Sequence, residues 1–532
     1  MTSIGEPYKR FQPDSAYDAI VVGSGIGGLA AAALLAKHAG KKVLVLEQHY
    51  TAGGYTHTFQ RNGFEWDVGV HYIGDVGHPR APLRVLLDDM ASEPIEWASM
   101  GDVYDRIVLG EEVFDFPAGR ENFVEAIAAR FPGEREAIEH YVELVDEAQR
   151  ATKLFFAERA LPPAVAKLVG GAMRRKLERI ASRTTREVLE KLTSNQRLIA
   201  VLTGQFGDYG LPPARSSFAI HAMVAGHYLR GGYFPVGGAS RFAATIVPTI
   251  ERAGGRVVVR AEVERIIVER GRAVGVRMVD GRELRAPVIV SDAGIHNTFQ
   301  TLLDPATPSR ERGAFAHLTR SVGHLCLYLG LDRTADELAL PRANYWLYPD
   351  EHHERNVEAF VADPEAPFPV VYISFPAAKD PSFASRFPGR STIDVITLAP
   401  YAWFARWADS RWQHRGDEYE ALKERFTSRL LDRLYQWVPQ ARGHVIHAEL
   451  STPITTRHFA AWERGELYGI DHDPARFRER RLRPRTSIPG LYLTGQDVCS
   501  AGVAGALMGG VLCASALLGK DMISVARRSM GR

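Results

Sequence analysis

Two short apolar runs, separated by a glycine-rich turn and an alanine-rich segment, open the regular pattern of the chain. Residues Asp18 to Val22 read DAIVV, which is typical of a buried strand. The alanine-rich segment predicts a helix to about His38, and a second run, Lys42 to Leu46, predicts another strand. This order predicts a parallel sheet with helices packed on it.

Beyond these elements the pattern alternates between helix and strand. Residues 134–230 are mostly helical, with breaks at Pro162-Pro163 and Pro212-Pro213, and a turn cluster follows at Gly231–Gly238. Turns at Arg270-Gly271 and Asp280-Gly281 predict hairpins. The other predicted strands are Phe64–Val70, Arg106–Leu109, Arg256–Arg260, Glu262–Glu269, Ala273–Val279, Val288–Ser291, Gly323–Gly330, Val370–Phe375 and Thr392–Leu398. The other predicted helices are Asn122–Arg130, Ser240–Arg252 and Glu418–Gln436.

The turn after the first strand carries a glycine fingerprint, Gly23-Ser24-Gly25-Ile26-Gly27-Gly28. In this pattern one glycine makes the turn, the next lets backbone approach a pyrophosphate, and the last packs helix on strand. The helix N-terminus supplies N–H groups and partial positive charge. Glu47, followed by Gln48, ends the second strand and would accept a hydrogen bond from a ribose 2′-hydroxyl. Together these features predict a dinucleotide site.

A second glycine-containing element lies far along the chain. Gly490 to Thr494 predicts a strand, Gly495 and Asp497 follow it, and a small-residue helix then starts around Val503 and Ala504. An acid at a strand end beside a helix N-terminus suits FAD: Asp497 would bond the ribitol, and the helix would stabilise negative charge on a reduced flavin. A binding site for NAD would not need elements from both ends of the chain. Only one full fingerprint exists, so the sequence predicts FAD and no separate NAD(P)H domain.

Composition excludes several other classes of protein. The formal charge of +2 argues against a general nucleic-acid binder. Three widely spaced cysteines fit neither a disulfide framework nor a zinc site, which favours a reducing compartment. The first residues contain no apolar stretch and no window approaches a spanning helix, so we expect a cytoplasmic protein without a secretory signal. His49, His57 and His71 lack the spacing and acidic company of metal ligands, so no metal site is expected.

Four segments resemble the phytoene desaturase, carotenoid isomerase and retinol saturase group of flavoproteins. The main one is LEQHYTAGGYTHTF…NGFEWDVGVHYIG, which starts at Leu46. The others are Tyr233–Gly238, Val257–Val263 and LYLTGQDVCSAGVAGALMGGVLCASALL, from Leu491 to Leu518. The TGQD sequence with its small-residue helix is most similar to the retinol saturase branch. The resemblance covers about half of the chain.

The resemblance implies further cofactor contacts and two candidate catalytic residues. Backbone at Gly53 and Gly54 would approach the cofactor, Val263 would contact it, and side chains after the glycine pair would line its phosphate–ribitol side. Those side chains are Tyr55, His57 and Thr58. His71 and Tyr72 would come near the isoalloxazine, for positioning or proton transfer; bracing of a loop is the alternative interpretation.

The predicted fold class is α/β: a Rossmann-like FAD-binding domain of the glutathione reductase-2 type with an inserted mixed α+β substrate domain. The FAD-binding domain would comprise residues 1–78, 232–294 and 451–532. The substrate domain would comprise residues 79–231, which include a membrane-associating helical part, and 295–450.

The expected function is FAD-dependent redox chemistry or isomerisation at a carbon–carbon double bond of a long isoprenoid, such as a carotenoid or retinoid. Desaturation, saturation and cis–trans isomerisation all remain open, with quinone, oxygen or an external reductant as electron partner. An amine-oxidase-like enzyme on a smaller polar substrate and a non-catalytic flavin-binding protein are the alternatives. The segment Leu154–Ile180 interleaves apolar residues with Arg159, Lys167, Arg174, Arg175 and Lys176. It predicts a helix that lies on a membrane surface, although core packing explains the pattern equally well.

Overall fold

The computed structural model describes residues 3–13 and 16–531, and its framework is a six-stranded parallel sheet. In spatial order the strands are Glu6–Pro7, Arg256–Val259, Val43–Glu47, Ala19–Val22, Ile289–Ser291 and Leu491–Leu493. The four inner strands are almost wholly buried, as expected for parallel strands with helices on both faces. Three distant parts of the chain therefore meet in one sheet, as the predicted Rossmann-like fold requires.

Two small-residue helices, Ile26–Ala39 and Gly502–Leu518, pack closely on this sheet and on each other. A Cβ atom placed on Gly27 would lie 2.6 Å from the Cα of Gly495, so only glycine permits this approach. Both helices start at the carboxyl ends of strands and point their N-termini along the same edge of the sheet. Three further helices complete this layer: Pro82–Met90, Arg241–Arg252 and Met522–Ser529.

A seven-stranded mixed sheet forms the second layer. In spatial order its strands are Val445–Ser451, Gly323–Leu331, Ser391–Ala399, Val371–Ser374, Asn344–Tyr348, Val103–Leu109 and Glu112–Pro117. Strands from both inserted segments of the chain belong to this one sheet. Alternation along Gly323–Leu331 places four leucines on a face that packs into a hydrophobic core and His324, Cys326 and Tyr328 on the opposite face.

Helices surround the mixed sheet. Those around its core are His353–Ala362, Pro376–Lys379, Phe383–Arg386, Asp417–Trp437 and Pro453–Ala460. Arg120–Arg130, Arg135–Ala160, Pro163–Ala181, Thr185–Leu189, Gln196–Leu202 and Phe218–Tyr228 form a helical unit on its other side, and Arg310–Ala314 and Pro474–Arg478 are short connecting helices. Smaller elements are the strands Thr58–Arg61 with Phe64–Asp67, Trp97–Ser99 with Tyr233–Pro235, and Val263–Glu269 with Arg272–Met278 and Glu283–Arg285. The three cysteines are buried free thiols.

The prediction that Leu154–Ile180 forms a single helix is wrong. The chain breaks at Leu161 and Pro162, and the helices on either side form an antiparallel hairpin. Arg159 is buried and donates to the carbonyl oxygen of Val498, and Arg174 pairs with the buried Glu158. These two cations therefore serve the interior of the protein, while Lys167 and Arg175 are exposed.

Two smaller predictions also need correction. Tyr233–Pro235, inside the predicted turn cluster, is a strand paired with Trp97–Ser99, because glycines at both ends complete the turns. The strand predicted over Phe64–Val70 ends at Asp67, whose carboxylate accepts a hydrogen bond from the N–H of Ala239. Among the described residues no single helix is long and apolar enough to cross a membrane. The helices Gly502–Leu518 and Met522–Ser529 reach that length and apolar character only when they are taken together, and they are bent by 98° relative to each other.

Candidate cofactor and active site

A cavity of about 1010 Å³ runs along the carboxyl edge of the parallel sheet and continues beneath the mixed sheet. This edge is where open α/β sheets bind their ligands. The structure brings thirteen of the predicted cofactor residues together around the cavity. They are Gly23, Gly25, Ile26, Gly27, Glu47, Gln48, Gly54, Tyr55, His57, Val263, Gly495, Asp497 and Val503.

The other five predicted cofactor residues, Ser24, Gly28, Gly53, Thr58 and Ala504, lie outside the lining. Ser24 donates to Glu47 through its N–H and its hydroxyl, and its hydroxyl accepts from the N–H of Gly53. Thr58 is fixed by hydrogen bonds to Ser240. Ser24, Gly53 and Thr58 therefore shape the wall from behind, while Gly28 and Ala504 belong to the two helices that start at the cavity.

The glycine turn fits the pyrophosphate of a dinucleotide. A Cβ atom on Gly25 would stand 2.5 Å from a carboxylate oxygen of Asp292, and one on Gly54 would stand 2.9 Å from the Cα of Gly25. Side chains at these positions would fill the cradle. The first turn of Ile26–Ala39 contains no acidic residue of its own, and the N–H groups at a helix start favour an anion.

Glu47 stands at the end of its strand with a fixed orientation. One oxygen accepts from the N–H and hydroxyl of Ser24 at 2.8 and 2.7 Å, and the other accepts from the N–H of His49 at 2.8 Å. A carboxylate held in this way at the cavity wall suits a ribose hydroxyl. The structure therefore supports the predicted adenosine end of the site.

Asp292 is a site residue that sequence reasoning missed. It lies at the carboxyl end of the strand Ile289–Ser291, lines the cavity, and faces the N–H groups of Gly25 and Gly28. Burial raises its pKa to about 8, with a further increase from Glu47 and Asp497. At neutral pH a protonated Asp292 would donate a hydrogen bond to an anion here. The predicted strand Val288–Ser291 ended on this residue, so its position at a strand end was an available signal.

The second element of the site is the loop from Gly495 to Cys499. The carboxylate of Asp497 accepts hydrogen bonds from the N–H groups of Ile295 at 2.9 Å and Ile470 at 3.2 Å. The buried guanidinium of Arg476 donates to the carbonyl oxygens of Gln496, Asp497 and Cys499. These bonds fix the loop beside the N-terminus of Gly502–Leu518, where negative charge on a ligand is stabilised.

The histidines near the glycine pair, His49 and His57, pack against each other. The rings of His49 and His57 lie 4.6 Å apart, and burial lowers the pKa of each to about 4, so both are neutral at neutral pH. Within the described part of the chain no group of three or more His, Cys, Asp or Glu is arranged to hold a metal ion.

Beyond the cofactor groove the cavity wall becomes aromatic. The rings that line this part belong to Phe59, Tyr328, Trp412, Tyr419, Phe459 and Tyr468, together with the imidazole of His324. Phe59 and Tyr328 are in edge contact with centroids 4.9 Å apart. Charged side chains, among them Arg61, Lys423 and Glu449, line the same cavity, so the aromatic rings would contact the apolar part of a ligand.

The structure places His71 and Tyr72 behind the cavity wall, and neither lines it. Nδ1 of His71 lies 3.5 Å from a carboxylate oxygen of Asp394, and the hydroxyl of Tyr72 lies within hydrogen-bonding distance of Asp105 and Asp208. Their neighbour Gly69 does reach the cavity. If either residue contributes to catalysis, it therefore acts through other side chains that line the cavity.

A glycine cradle for a dinucleotide, closed by a distant second element and opening into a separate aromatic chamber, is the arrangement of an FAD-dependent oxidoreductase. Comparison with known proteins agrees. Over residues 26–518 the chain matches the model of the flavin containing amine oxidoreductases, and it belongs to that family.

Individual relatives narrow the comparison. The chain is 39% identical to all-trans-retinol 13,14-reductase of Danio rerio, in an alignment that covers 95% of this chain and 86% of that protein. It is 26% identical to the chloroplastic prolycopene isomerase of Daucus carota, over 94% of this chain and 79% of that one. The predicted resemblance to the retinol saturase and carotenoid isomerase group is thereby confirmed. Wild-type putrescine oxidase bound to putrescine shares the fold, with a TM-score of 0.63, 16% identity and coverage of 96% of this chain and 100% of that one.

FAD, when bound, supplies hydride and electron-pair transfer. The chain's own residues would hold it and set its surroundings. The glycine turn and the first helix would hold the pyrophosphate, Glu47 would accept from the ribose, and Asp497 with the second helix would hold the ribitol side. The aromatic rings of the cavity wall would limit the access of water to the reacting region.

Proposed function

We propose that the chain reduces a carbon–carbon double bond of a long isoprenoid lipid of the retinoid or carotenoid type. The observation that carries this proposal is the 39% identity to an all-trans-retinol 13,14-reductase over nearly the whole chain. Saturation is favoured over isomerisation because the identity to the prolycopene isomerase is lower, at 26%. Oxidation of a small amine is supported by the family fold alone.

The shape of the cavity supports an apolar substrate. The cavity has a volume of about 1010 Å³, and its wall carries the aromatic rings described above. A polyene has few polar groups, so it gains binding energy mainly from apolar contact with such rings. The electron pair would come from an external donor, since the sequence contains one nucleotide fingerprint.

The direct test is anaerobic incubation of the reduced and of the oxidised FAD-loaded protein with all-trans-retinol, a carotenoid panel and a panel of primary amines. We expect the reduced protein to be reoxidised by a polyene, with a product two mass units heavier. A product of unchanged mass with a shifted absorption spectrum would replace saturation by isomerisation. Reduction of the oxidised flavin by an amine, with every polyene inert, would refute the proposal.

The same proposal places the protein on a membrane surface through its helical hairpin. Seven large apolar side chains are strongly exposed among the described residues, and four lie on this hairpin: Leu154, Val165, Leu168 and Val169. Leu168 is 86% exposed. Lys167 and Arg175 are exposed on the same hairpin, which suits the acidic headgroups of an anionic bilayer.

Vesicle flotation tests this placement. The FAD-loaded protein should float with phosphatidylcholine vesicles that contain phosphatidylserine, and a Leu154→Ser, Leu168→Ser variant should remain in the soluble fraction. The matched control is Val361→Ser, Ile446→Ser, which removes two exposed apolar side chains elsewhere. Equal flotation of both variants would show that the hairpin is not the contact.

A further inference from the structure

A row of buried polar side chains crosses one face of the mixed sheet. Tyr328 lies directly opposite Asp394, and Asp394 lies opposite Ser374 on the next strand. Asn344 and Asp105 are opposite each other on the two strands that follow. Neighbouring strands are about 4.8 Å apart, so these five positions span roughly 19 Å of the sheet. We call these five residues the polar row.

Lys379, on the short helix Pro376–Lys379, lies over the middle of the polar row. Its ammonium donates to the side chains of Asn344 and Ser374 and to the carbonyl oxygen of His71. Three acceptors match the three N–H donors of the protonated lysine, while burial lowers the pKa of Lys379 to about 7. Asn344 in turn donates to Asp105 at 2.9 Å, so the row is continuous in this region.

At its inner end the row holds a proton between two carboxyl groups. The hydroxyl of Tyr72 lies 2.8 Å from an oxygen of Asp105 and 3.0 Å from an oxygen of Asp208. A phenol has one proton to donate, so the second contact is a hydrogen bond only if a carboxyl group donates it. Burial raises the pKa of Asp208 well above its usual range and that of Asp105 to about 6, which assigns this proton to Asp208.

At its outer end the row approaches the cavity. Asp394 is fully buried, and neither of its oxygens has a hydrogen-bond partner. The charged and titratable groups around it are Lys379, His71, Asp67 and the side chains of Cys326 and Tyr328. Burial raises the pKa of Asp394 to about 8, so it carries a proton at neutral pH.

His324 connects this end to the cavity. Its imidazole lines the cavity, while its Nδ1 is enclosed and has no hydrogen-bond partner. His71, 3.5 Å from Asp394, lies near enough to His324 for charge on one ring to disfavour charge on the other. A neutral imidazole accepts a proton at one nitrogen while it releases one from the other. Each of the two histidines can thus relay a proton without storing charge.

We propose that Asp394, in the polar row beside the cavity, stores a proton and exchanges it with the cavity through His71 and His324. The inference deepens the proposed function and rests on it for its chemical purpose. Saturation of a double bond adds a hydride to one carbon and a proton to the other. The hydride brings the electron pair of the reduced cofactor, which an external two-electron donor has reduced, and His324 delivers the proton. As His324 releases this proton from one nitrogen, its other nitrogen takes up a proton from Asp394 by way of His71, and solvent reprotonates Asp394 after product leaves.

The test follows the proton on Asp394 itself. A protonated buried carboxyl group has a C=O stretching band above the amide bands in the infrared, and the band shifts when its proton is exchanged for deuterium. We expect FAD-loaded wild-type protein at pH 7 to show such a band, and Asp394→Asn to lose it. After mixing with deuterium oxide the band should shift more slowly in His324→Gln by at least about tenfold, within the range that a positioned acid or base contributes. Thr392→Val, a change on the same strand without a titratable group, should leave both the band and its exchange rate unaltered.

Catalysis provides the second measurement. In a single turnover of the reduced protein with a polyene, His324→Gln should slow saturation by about 10²-fold, and Asp394→Asn should flatten the pH profile of the rate. The proton path is overturned if Asp394→Asn retains the band or if His324→Gln exchanges as fast as wild type. Failure of the proposed function has a different signature: wild type converts no polyene, while the band and its dependence on His324 remain.

Discussion

The pH dependence of FAD binding should reveal the proton on Asp292. The carboxyl group of Asp292 faces the N–H groups of the glycine cradle, and its pKa is raised to about 8. If the pyrophosphate binds only while this group is protonated, FAD affinity is constant below pH 8 and falls above it. The expected loss is about tenfold between pH 7 and pH 9, because each pH unit above the pKa removes nine-tenths of the competent form.

The matching variant is Asp292→Asn, which keeps the shape of the side chain and cannot ionise. Its FAD dissociation constant, measured by fluorescence quenching on protein stripped of cofactor, should be independent of pH from 7 to 9.5. Asp471→Asn is the control, since burial raises the pKa of Asp471 to about 7 and this residue does not line the cavity. That control should keep the wild-type profile. A flat profile in wild type, or an identical decline in Asp292→Asn, would refute the reasoning.

Stability of the cofactor-free protein should change with pH through the same group. The folded state raises the pKa of Asp292 above its value in the unfolded chain, so the folded state binds the extra proton. Its stabilising effect is complete below about pH 4 and is lost as pH rises towards 8, by at most about 1.4 kcal/mol per pH unit. Urea unfolding of wild type and Asp292→Asn at several pH values measures this difference.

Two further predictions concern the elements that surround the cofactor. Gly27→Ala should weaken FAD retention and lower the free energy of unfolding by about 1–3 kcal/mol, because the new Cβ meets backbone atoms of Gly495 and Ala506. The control is Gly313→Ala, where a new Cβ meets no other atom. Equal urea midpoints for the two variants would contradict the packing argument. Arg476→Met should release the loop from Gln496 to Cys499 and cost about 3 kcal/mol or more, since it leaves several buried carbonyl oxygens unpaired. The exposed Arg478→Met should change neither thermal unfolding nor flavin fluorescence, and similar losses in both variants would count against a specific role for Arg476.

The cofactor half of the site was predictable because its signals are local. The glycine turn, Glu47 and the small-residue helix after Asp497 each combine a strand end with a helix start within a few residues. Asp292 was missed although its strand was predicted. The sequence does not show that this strand pairs with Ala19–Val22 on one side and Leu491–Leu493 on the other. This position in the sheet brings the carboxyl group of Asp292 to the glycine turn.

The polar row was beyond sequence reasoning for a related cause. Its members lie within strands and belong to no local motif, as Asp394 does between Ile393 and Val395. Their meeting depends on the register of five strands from distant parts of the chain. Arg159 and Arg174 show the opposite error. Their spacing among apolar residues resembles a lipid-facing surface. In the fold, Arg159 donates to a buried carbonyl oxygen and Arg174 donates to a buried carboxylate.

The fifth strand of the parallel sheet, in its spatial order, has a consequence for how the protein assembles. Ile289–Ser291 pairs on one side with Ala19–Val22 and on the other with Leu491–Leu493, so both of its partners are remote in sequence. Such pairings are slow to form, because long stretches of chain lose conformational entropy before the stabilising contacts are made. Until the strand Leu491–Leu493 is in place, Gly495 and Asp497 cannot reach the glycine turn. Bound yellow flavin is therefore a visible marker that the whole chain has folded, and a ligand that bridges the remote segments will hold them together once it has arrived.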